Sequence, residues 1–492
     1  MRPPAGPAHG MRLRAGMNAR ASLESAIVPC RRILLFLAVL IWPMTGCGNQ
    51  TSSASSASDA ATTAGPAGAL QAFIDRAEPG YRWKVLREGT VAGTEYTELV
   101  LVSQEWRGVE WRHQLFVFWP TAQSPDSRHA LFMIDGGQWR PGFDDPERAP
   151  PPPRDAEHVA EVAESLGTPV AVLRQVPFQP MFGGLTEDDL IAYTFERFLE
   201  TGEPDWPLLF PMVNAAVRGM DAVQQVGRLH RGVAIDDFIV FGASKRGWTT
   251  WLVGAVDPRV AAIAPVSIDM LNLERHLALQ RETWGRYSEQ IQPYVALGLP
   301  DRLDGLTGRA LLDMVDPFRY RSRLLVPKLI VLGTNDRYWP LDALGLYWDS
   351  LPDPKRVLYL PNTGHRPNDY ARLKGALGAL HDHVVHGAPL PRPVWRFDET
   401  PDAVRLHVES DAEPRAVTAW RATAPTRDFR EASWEPAPCR PAGAGFLCEA
   451  ERAADGYTAL FAELEYATAR GPTLYLSTRI RVAGPPEPGL AQ

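Results

Sequence analysis

Cysteine is scarce: the chain has four in 492 residues, and Cys30 and Cys47 both precede residue 50. Cys439 and Cys448 are the two that remain, with no cluster of His or Cys around them. A zinc site is therefore not expected, and neither is any metal or cofactor. The two flank Arg-Pro-Ala-Gly-Ala-Gly-Phe-Leu, a loop that a disulfide would close; the alternative is a pair of free thiols. Positive charge is not in excess either. Lys and Arg number 51 against 58 Asp and Glu, a net charge of −7, which gives no footing for a nucleic-acid partner. No apolar run has the length of a membrane span; the longest candidate, Ile33 to Trp42, is too short.

That short run has another reading. Arg31-Arg32 and the apolar stretch behind them form an export signal, ending in Met44-Thr45-Gly46-Cys47. This tetrapeptide is similar to a bacterial lipoprotein cleavage box, which makes Cys47 the expected lipidated first residue of the mature chain. A plain cleaved signal and an uncleaved anchor are the alternatives. Residues 1–47 are thus assigned to a leader and 48–68 to a tether, since Gln50 to Gly68 is mostly Ser, Ala, Thr and Gly and cannot bury a core. The expected location is periplasmic or anchored to the outer membrane, with membrane contact only through the N-terminal lipid.

What the chain has in quantity is globular: 45% hydrophobic residues, 45 prolines and 15 tryptophans. Phe238 to Phe241 reads as a buried strand, Gly242-Ala243 as a tight bend, and Lys245 to Val256 as a helix, with Ser244 at the tip. Strand, sharp turn, serine and helix form a nucleophile elbow. Its second glycine stands one place late: Gly242-Ala243-Ser244-Lys245-Arg246-Gly247. A serine N-cap after any parallel strand is the plainer alternative. Before the elbow, Thr97 to Trp106 and Trp111 to Trp119 read as a hairpin turned at Arg107-Gly108, and Ala130 to Asp135 and Pro169 to Gln175 as buried strands around a helix at Ala156 to Leu166. Helices are expected over Glu187 to Glu200 and Pro211 to Leu229. Beyond the elbow come strands at Val260 to Ile268, Pro327 to Gly333 and Arg356 to Leu360, with helices at Leu341 to Leu351 and Asp369 to Val385. The order implies an α/β-hydrolase fold with a mostly parallel central sheet over residues 69–388, and an insert or lid at about 270–316. After the linker Pro389 to Pro393, short alternating runs (Val404 to Val408, Ala416 to Arg421, Tyr457 to Tyr466, Thr473 to Val482) indicate a small β-sandwich over 394–485.

Asp336 follows one of the later strands and His365 follows the last, so Ser244, Asp336 and His365 occur in α/β-hydrolase order at strand ends. Serine is a weak nucleophile at its own pKa. His365 would remove its proton and Asp336 would orient the imidazole. Separately, Asp336 reads as a helix N-cap and His365 as a turn residue. Asp342 is a rival acid inside a predicted helix, while His381, His383 and His386 look solvated. The oxyanion donors are expected to be the Lys245 N–H and one from Gly136-Gly137-Gln138-Trp139, from Gln138 or Gly137. Trp139 and Trp339 are candidate walls for substrate. Lys245 and Arg246 would suit an anionic substrate or be salt-bridged to neighbouring acids; Glu187, Asp188 and Asp189 would hold a substrate ammonium or be a solvated helix start.

Glu187 to Thr194, Trp206 to Asp221, Gly242 to Trp248, Asp257-Pro-Arg259, Gly333 to Asp336 and Pro361 to His365 together resemble the PhoPQ-activated pathogenicity-related protein family, over about residues 70 to 485. The resemblance implies an α/β-hydrolase with Ser244, Asp336 and His365 as its serine, acid and histidine. It also implies a link to antimicrobial-peptide resistance, and through secreted eukaryotic relatives to proliferation repression and dipeptidyl-peptidase-like activity.

The leading expectation is an exported serine hydrolase acting through an acyl-enzyme on peptides or peptide-like amides. A carbohydrate esterase is the alternative, because glucuronoyl esterases carry a similar basic elbow. A non-catalytic envelope-binding protein on a hydrolase scaffold is the third reading. The expected partner is a peptide or other small acyl substrate; oligomeric state is left open.

Overall fold

The computed structural model describes residues 66–122, 128–153, 155–468 and 471–485; the leader, most of the tether and Cys47 lie outside them. After a helix at Pro66–Ile74 come three antiparallel strands, β1 (Arg82–Val91), β2 (Thr94–Trp106) and β3 (Val109–Trp119). Their turns are Ala92-Gly93 and Arg107-Gly108, all four with positive φ, the backbone sense that matches strand twist in a two-residue hairpin. β1 lies outside the two strands expected from the sequence, because its residues are half-buried and exposed in turn and give little apolar signal.

Six parallel strands follow: β4 (His129–Ile134), β5 (Val170–Leu173), β6 (Asp237–Ala243), β7 (Val260–Val266), β8 (Lys328–Gly333) and β9 (Lys355–Leu360). Their order in space is β5-β4-β6-β7-β8-β9, with β3 antiparallel on β5. These strands are short and apolar throughout because both faces are covered. Helices Leu209–Val226 and Lys245–Val256 pack on one face with Phe132, Phe238 and Ile263. Helices Ala156–Leu166 and Tyr370–His386 cover the other, with Leu131, Ile239 and Leu358. This is an α/β-hydrolase sheet. The insert after β7 carries helices Leu273–Trp284, Gln292–Ala296 and Leu306–Val315. No helix among the described residues is long and apolar enough to cross a membrane.

The C-terminal region adds β10 (Pro393–Glu399), β11 (Ala403–Ser410), β12 (Ala416–Ala424), β13 (Glu435–Pro438), β14 (Arg440–Ala442), β15 (Gly445–Glu451), β16 (Tyr457–Tyr466), β17 (Leu474–Ser477) and β18 (Arg481–Ala483). Four of them form a separate antiparallel sheet, β10-β11-β15-β14. Its inner face, with Val404, Leu406 and Ala450, packs on Leu460, Ala462 and Ala419 of the opposing layer. That opposing layer is continuous with the main sheet: β17 lies between β9 and β16, Ser477 pairs with Val357, and the Tyr359 N–H donates to Ser477 Oγ at 2.9 Å. The Thr473 to Val482 run divides into β17 and β18, which pair with different parts of β16. The Cys439–Cys448 disulfide is formed.

Leu341 to Leu351 is not a helix but two isolated turns, Ala343–Leu346 and Trp348–Ser350. Tyr347 between them has φ −140° and sends its hydroxyl to Asp269 Oδ1 at 2.8 Å; a continuous helix would swing that ring off the acid. His381 is buried rather than solvated, 1% exposed, with Nε2 at 2.8 Å from Thr168 Oγ1.

Candidate active site

The site starts from the backbone of one residue. Ser244 has φ 58° and ψ −126°, a conformation that costs a non-glycine residue energy and persists only where neighbours enforce it. Its N–H is held by Val266 O at 2.9 Å and its carbonyl by the Trp248 N–H at 3.0 Å. A Cβ on Gly242 would lie 2.9 Å from Arg246 O, and one on Gly247 would lie 2.9 Å from both Gly242 O and Val266 O. The late glycine therefore serves the close approach of helix to strand. What stands in the ordinary glycine position is Arg246, 9% exposed. Its guanidinium passes over Gly136, where an added Cβ would sit 2.5 Å from Nη2. It donates to Glu187 at 2.7 and 2.8 Å and to Val176 O at 2.5 Å.

Ser244 Oγ lies 2.8 Å from His365 Nε2. On the other side of the ring, Nδ1 lies 2.8 and 3.0 Å from the two carboxylate oxygens of Asp336. Asp336 is 6% exposed and also accepts the Tyr338 N–H at 2.9 Å. Tyr338 stacks on His365 with ring centres 4.1 Å apart. Ser244 follows β6, Asp336 follows β8 and His365 follows β9, so three loops at the same sheet edge meet in one hydrogen-bonded chain. Asp342, the rival acid, is paired with Arg427 at 2.5 Å instead.

Beside the serine a cleft of about 780 Å³ runs under the insert, lined mainly by apolar side chains such as Trp248, Met270, Leu277, Leu299, Leu312 and Val315. Ser244, Lys245, Asp188 and Trp339 also line it. The two basic elbow residues are committed to acids. Lys245 Nζ lies 2.7 Å from Asp188 Oδ2 and 3.4 Å from Glu187 Oε2, and Arg246 takes Glu187. Two cations thus face two carboxylates. Burial opposes the Glu187 charge, but Arg246 and Lys245 outweigh it and hold the carboxyl at about 2. Asp188 also accepts the Tyr294 hydroxyl at 3.0 Å and the Tyr338 hydroxyl at 3.4 Å.

The family model for the PhoPQ-activated pathogenicity-related protein matches residues 70–430. The chain belongs to that family. Autocrine proliferation repressor protein A of Dictyostelium discoideum is 28% identical over 442 residues, covering 82% of this chain and 86% of that relative. Among solved structures, an acetyl xylan esterase from Paenibacillus sp. R4 matches with a TM-score of 0.45 at 14% identity, covering 62% of this chain and 89% of that one. Acetyl xylan esterase 1 from Thermoanaerobacterium sp. JW/SL YS485 matches at 0.41 and 16%, covering 65% and 92%.

Of the residues singled out from the sequence, Ser244, Asp336 and His365 come together, and so do Lys245, Arg246, Glu187 and Asp188. Gly137 and Gln138 sit on the loop after β4, which neighbours β6. Gln179 ties that loop back, donating to Gly137 O at 3.0 Å and to Glu187 Oε1 at 2.7 Å. Trp339 lines the cleft and donates to Ser267 O at 3.3 Å. Trp139 packs instead against Phe143, ring centres 5.6 Å apart. Sequence reasoning missed Tyr338, Gln179 and Asp269. Tyr338 carried a usable signal, since it follows Asp336 by two places. Asp269 is a buried carboxyl beyond β7, kept up at about 8 by burial, with Tyr347 opposing and Asp336 adding to the shift.

Proposed function

We propose that this chain is a serine hydrolase that works through an acyl-enzyme. The observation that carries the reading is the unbroken hydrogen-bonded path from Ser244 Oγ through His365 to Asp336. Ser244 Oγ attacks a carbonyl carbon while His365 Nε2 takes its proton. Asp336 holds Nδ1–H and stabilises the imidazolium. The carbonyl oxygen becomes an oxyanion at the helix N-terminus, where the Lys245 N–H and one from Gly137 or Gln138 receive it. His365 then protonates the departing atom, and water repeats the sequence on the acyl-enzyme.

The acyl half of the substrate is apolar, because the cleft beside Ser244 is. The leading substrate class is a peptide or peptide-like amide with an apolar residue on the acyl side, in keeping with a role in antimicrobial-peptide resistance for an exported, lipid-anchored chain. A free substrate ammonium is not required. The carboxylates suited to hold one, Glu187 and Asp188, already meet Arg246, Lys245 and two tyrosines. The same pairing leaves Lys245 and Arg246 unavailable to a uronate, which weighs against a glucuronoyl-type ester. A second reading, an esterase for simple apolar acyl groups, is favoured by the cleft alone.

The test is a substrate panel on purified residues 69–492, with Ser244→Ala alongside and a fluorophosphonate label on both. The parent is expected to take the label and to cleave N-blocked apolar amides at least as well as unblocked dipeptidyl amides. Labelling of Ser244→Ala would overturn the nucleophile. Strict dependence on a free N-terminus would overturn the reading of Glu187 and Asp188.

A further inference from the structure

A second cleft, of about 610 Å³ and open to solvent, lies on the histidine side of the relay. It is lined by His365 and by polar groups including Gln290, Asn335, Arg337, Arg430 and Glu431. Ser244 is not among its lining residues, and His365 is not among those of the apolar cleft. The chemistry gives the two sides different tasks. The base that deprotonates the serine must hand that proton to the departing atom, so the leaving group sits on the histidine side and the acyl group on the other. Arg430 and Glu431 come from the C-terminal region.

The segment Arg427–Trp434 is fastened to the loops of the relay. Asn335, next to the triad acid, donates to Ala432 O at 2.7 Å and to Phe429 O and Arg430 O at 3.4 Å. Asn362, on the loop to His365, gives to Trp434 O at 3.0 Å and accepts its N–H at 2.8 Å. Arg430, its side chain 9% exposed, reaches Glu289 of the insert at 2.8 Å and Asp428 at 2.7 Å, and lies 4.4 Å over the Trp284 ring. Arg337 joins Glu289 and Glu431. Arg337, Arg430 and Glu431 line the cleft, Glu289 and Asp428 neutralise the two guanidiniums from behind, and Glu431, 84% exposed, is the carboxylate left facing the opening. The five groups together carry one negative charge in excess.

We propose that the segment Arg427–Trp434 builds the leaving-group subsite, and that this subsite takes the amine half of a peptide with a polar or basic side chain in preference to an apolar or acidic one. The proposal rests on the assignment of Ser244 and His365 as nucleophile and base. Arg430 and Glu431 are its specificity-determining residues, and Asn335 and Asn362 position the loops beneath them.

The leaving group is absent once the acyl-enzyme has formed, so the subsite can be read in reverse with added amines. An activated ester of an N-blocked phenylalanine loads Ser244, and argininamide, serinamide, leucinamide or glutamic acid α-amide then competes with water. The amine nitrogen attacks the acyl carbon, a C–N bond forms as the C–Oγ bond breaks, and His365 carries the proton from nitrogen to Oγ. Argininamide is expected to capture acyl groups about fivefold better than leucinamide, the scale of one partly exposed ion pair, and glutamic acid α-amide worst. Glu431→Gln is expected to remove most of the argininamide advantage, read as the ratio of argininamide to leucinamide capture. Equal or better capture by leucinamide would overturn the proposal. So would a Glu431→Gln or Arg430→Gln protein that slows hydrolysis and aminolysis alike, which is the signature of a displaced relay. A parent that forms no acyl-enzyme, by ester burst or fluorophosphonate, removes the serine-hydrolase reading and the proposal with it.

Discussion

The most direct test of how the elbow is built is the substitution Gly136→Ala. Gly136 does not have the positive φ that would demand glycine; what it lacks is room. A Cβ there would lie 2.5 Å from Arg246 Nη2 and 2.7 Å from Cζ, about 1 Å inside normal contact. The guanidinium cannot retreat freely, because Glu187 and Val176 O hold it at 2.5 to 2.8 Å. Moving by about 1 Å stretches both carboxylate bonds beyond 3.5 Å, where they no longer count as hydrogen bonds. Two charge-assisted bonds at about 1.5–3 kcal/mol each, less what solvent returns to a partly exposed Glu187, put the cost at about 2–3 kcal/mol. Arg246→Ala alone should cost about 3 kcal/mol, since it leaves a partly buried carboxylate with only Lys245 and Gln179. In the double variant the clash has no partner, so the added alanine should cost almost nothing. The expected interaction energy, from urea unfolding of the four proteins at pH 7, is about 2–3 kcal/mol. Additivity within about 0.5 kcal/mol would refute the reasoning.

Other outcomes follow from the same structure. Burial raises the Asp269 carboxyl from the ordinary aspartate range to about 8 in the folded state, so the folded state binds this proton more tightly. The stability it supplies is full below about pH 4 and declines as pH rises towards 8; Asp269→Asn should flatten the stability profile between pH 5 and 8 by up to about 4 kcal/mol, and parallel urea midpoints for parent and variant would refute this. Cys439 and Cys448 are nine residues apart in sequence, so replacing both with serine should cost about 2.5 kcal/mol by loop entropy. Dithiothreitol should lower the unfolding midpoint of the parent and leave that of the double serine variant unchanged.

The parallel core was legible because buried strands are short apolar runs and the helices between them carry helical spacing. The meeting of Ser244, Asp336 and His365 was legible because the three residue types stand at strand ends in a fixed order. Less could be read where local sequence competes with tertiary contact. Leu341 to Leu351 has helical composition, yet Tyr347 leaves helical backbone to reach Asp269. β1, with half-buried and exposed residues in turn, offers little hydrophobic signal. The elbow charges were visible, but their mutual pairing depends on Glu187 arriving from a helix start distant in sequence. The C-terminal strands were recognised as β-structure, whereas their junction with β9 rests on backbone hydrogen bonds that no side-chain pattern announces.

That junction has a consequence in time. Ribosomes deliver residues in order, and Ser244, Asp336 and His365 are all present well before Asn362 can meet Trp434, or β9 can meet β17. A chain interrupted between residues 365 and 434 therefore holds Ser244, Asp336 and His365 while the His365 loop is unbraced and one flank of its sheet is bare. The brace on the His365 loop and the cover on β9 therefore come only with the last stretch of the chain.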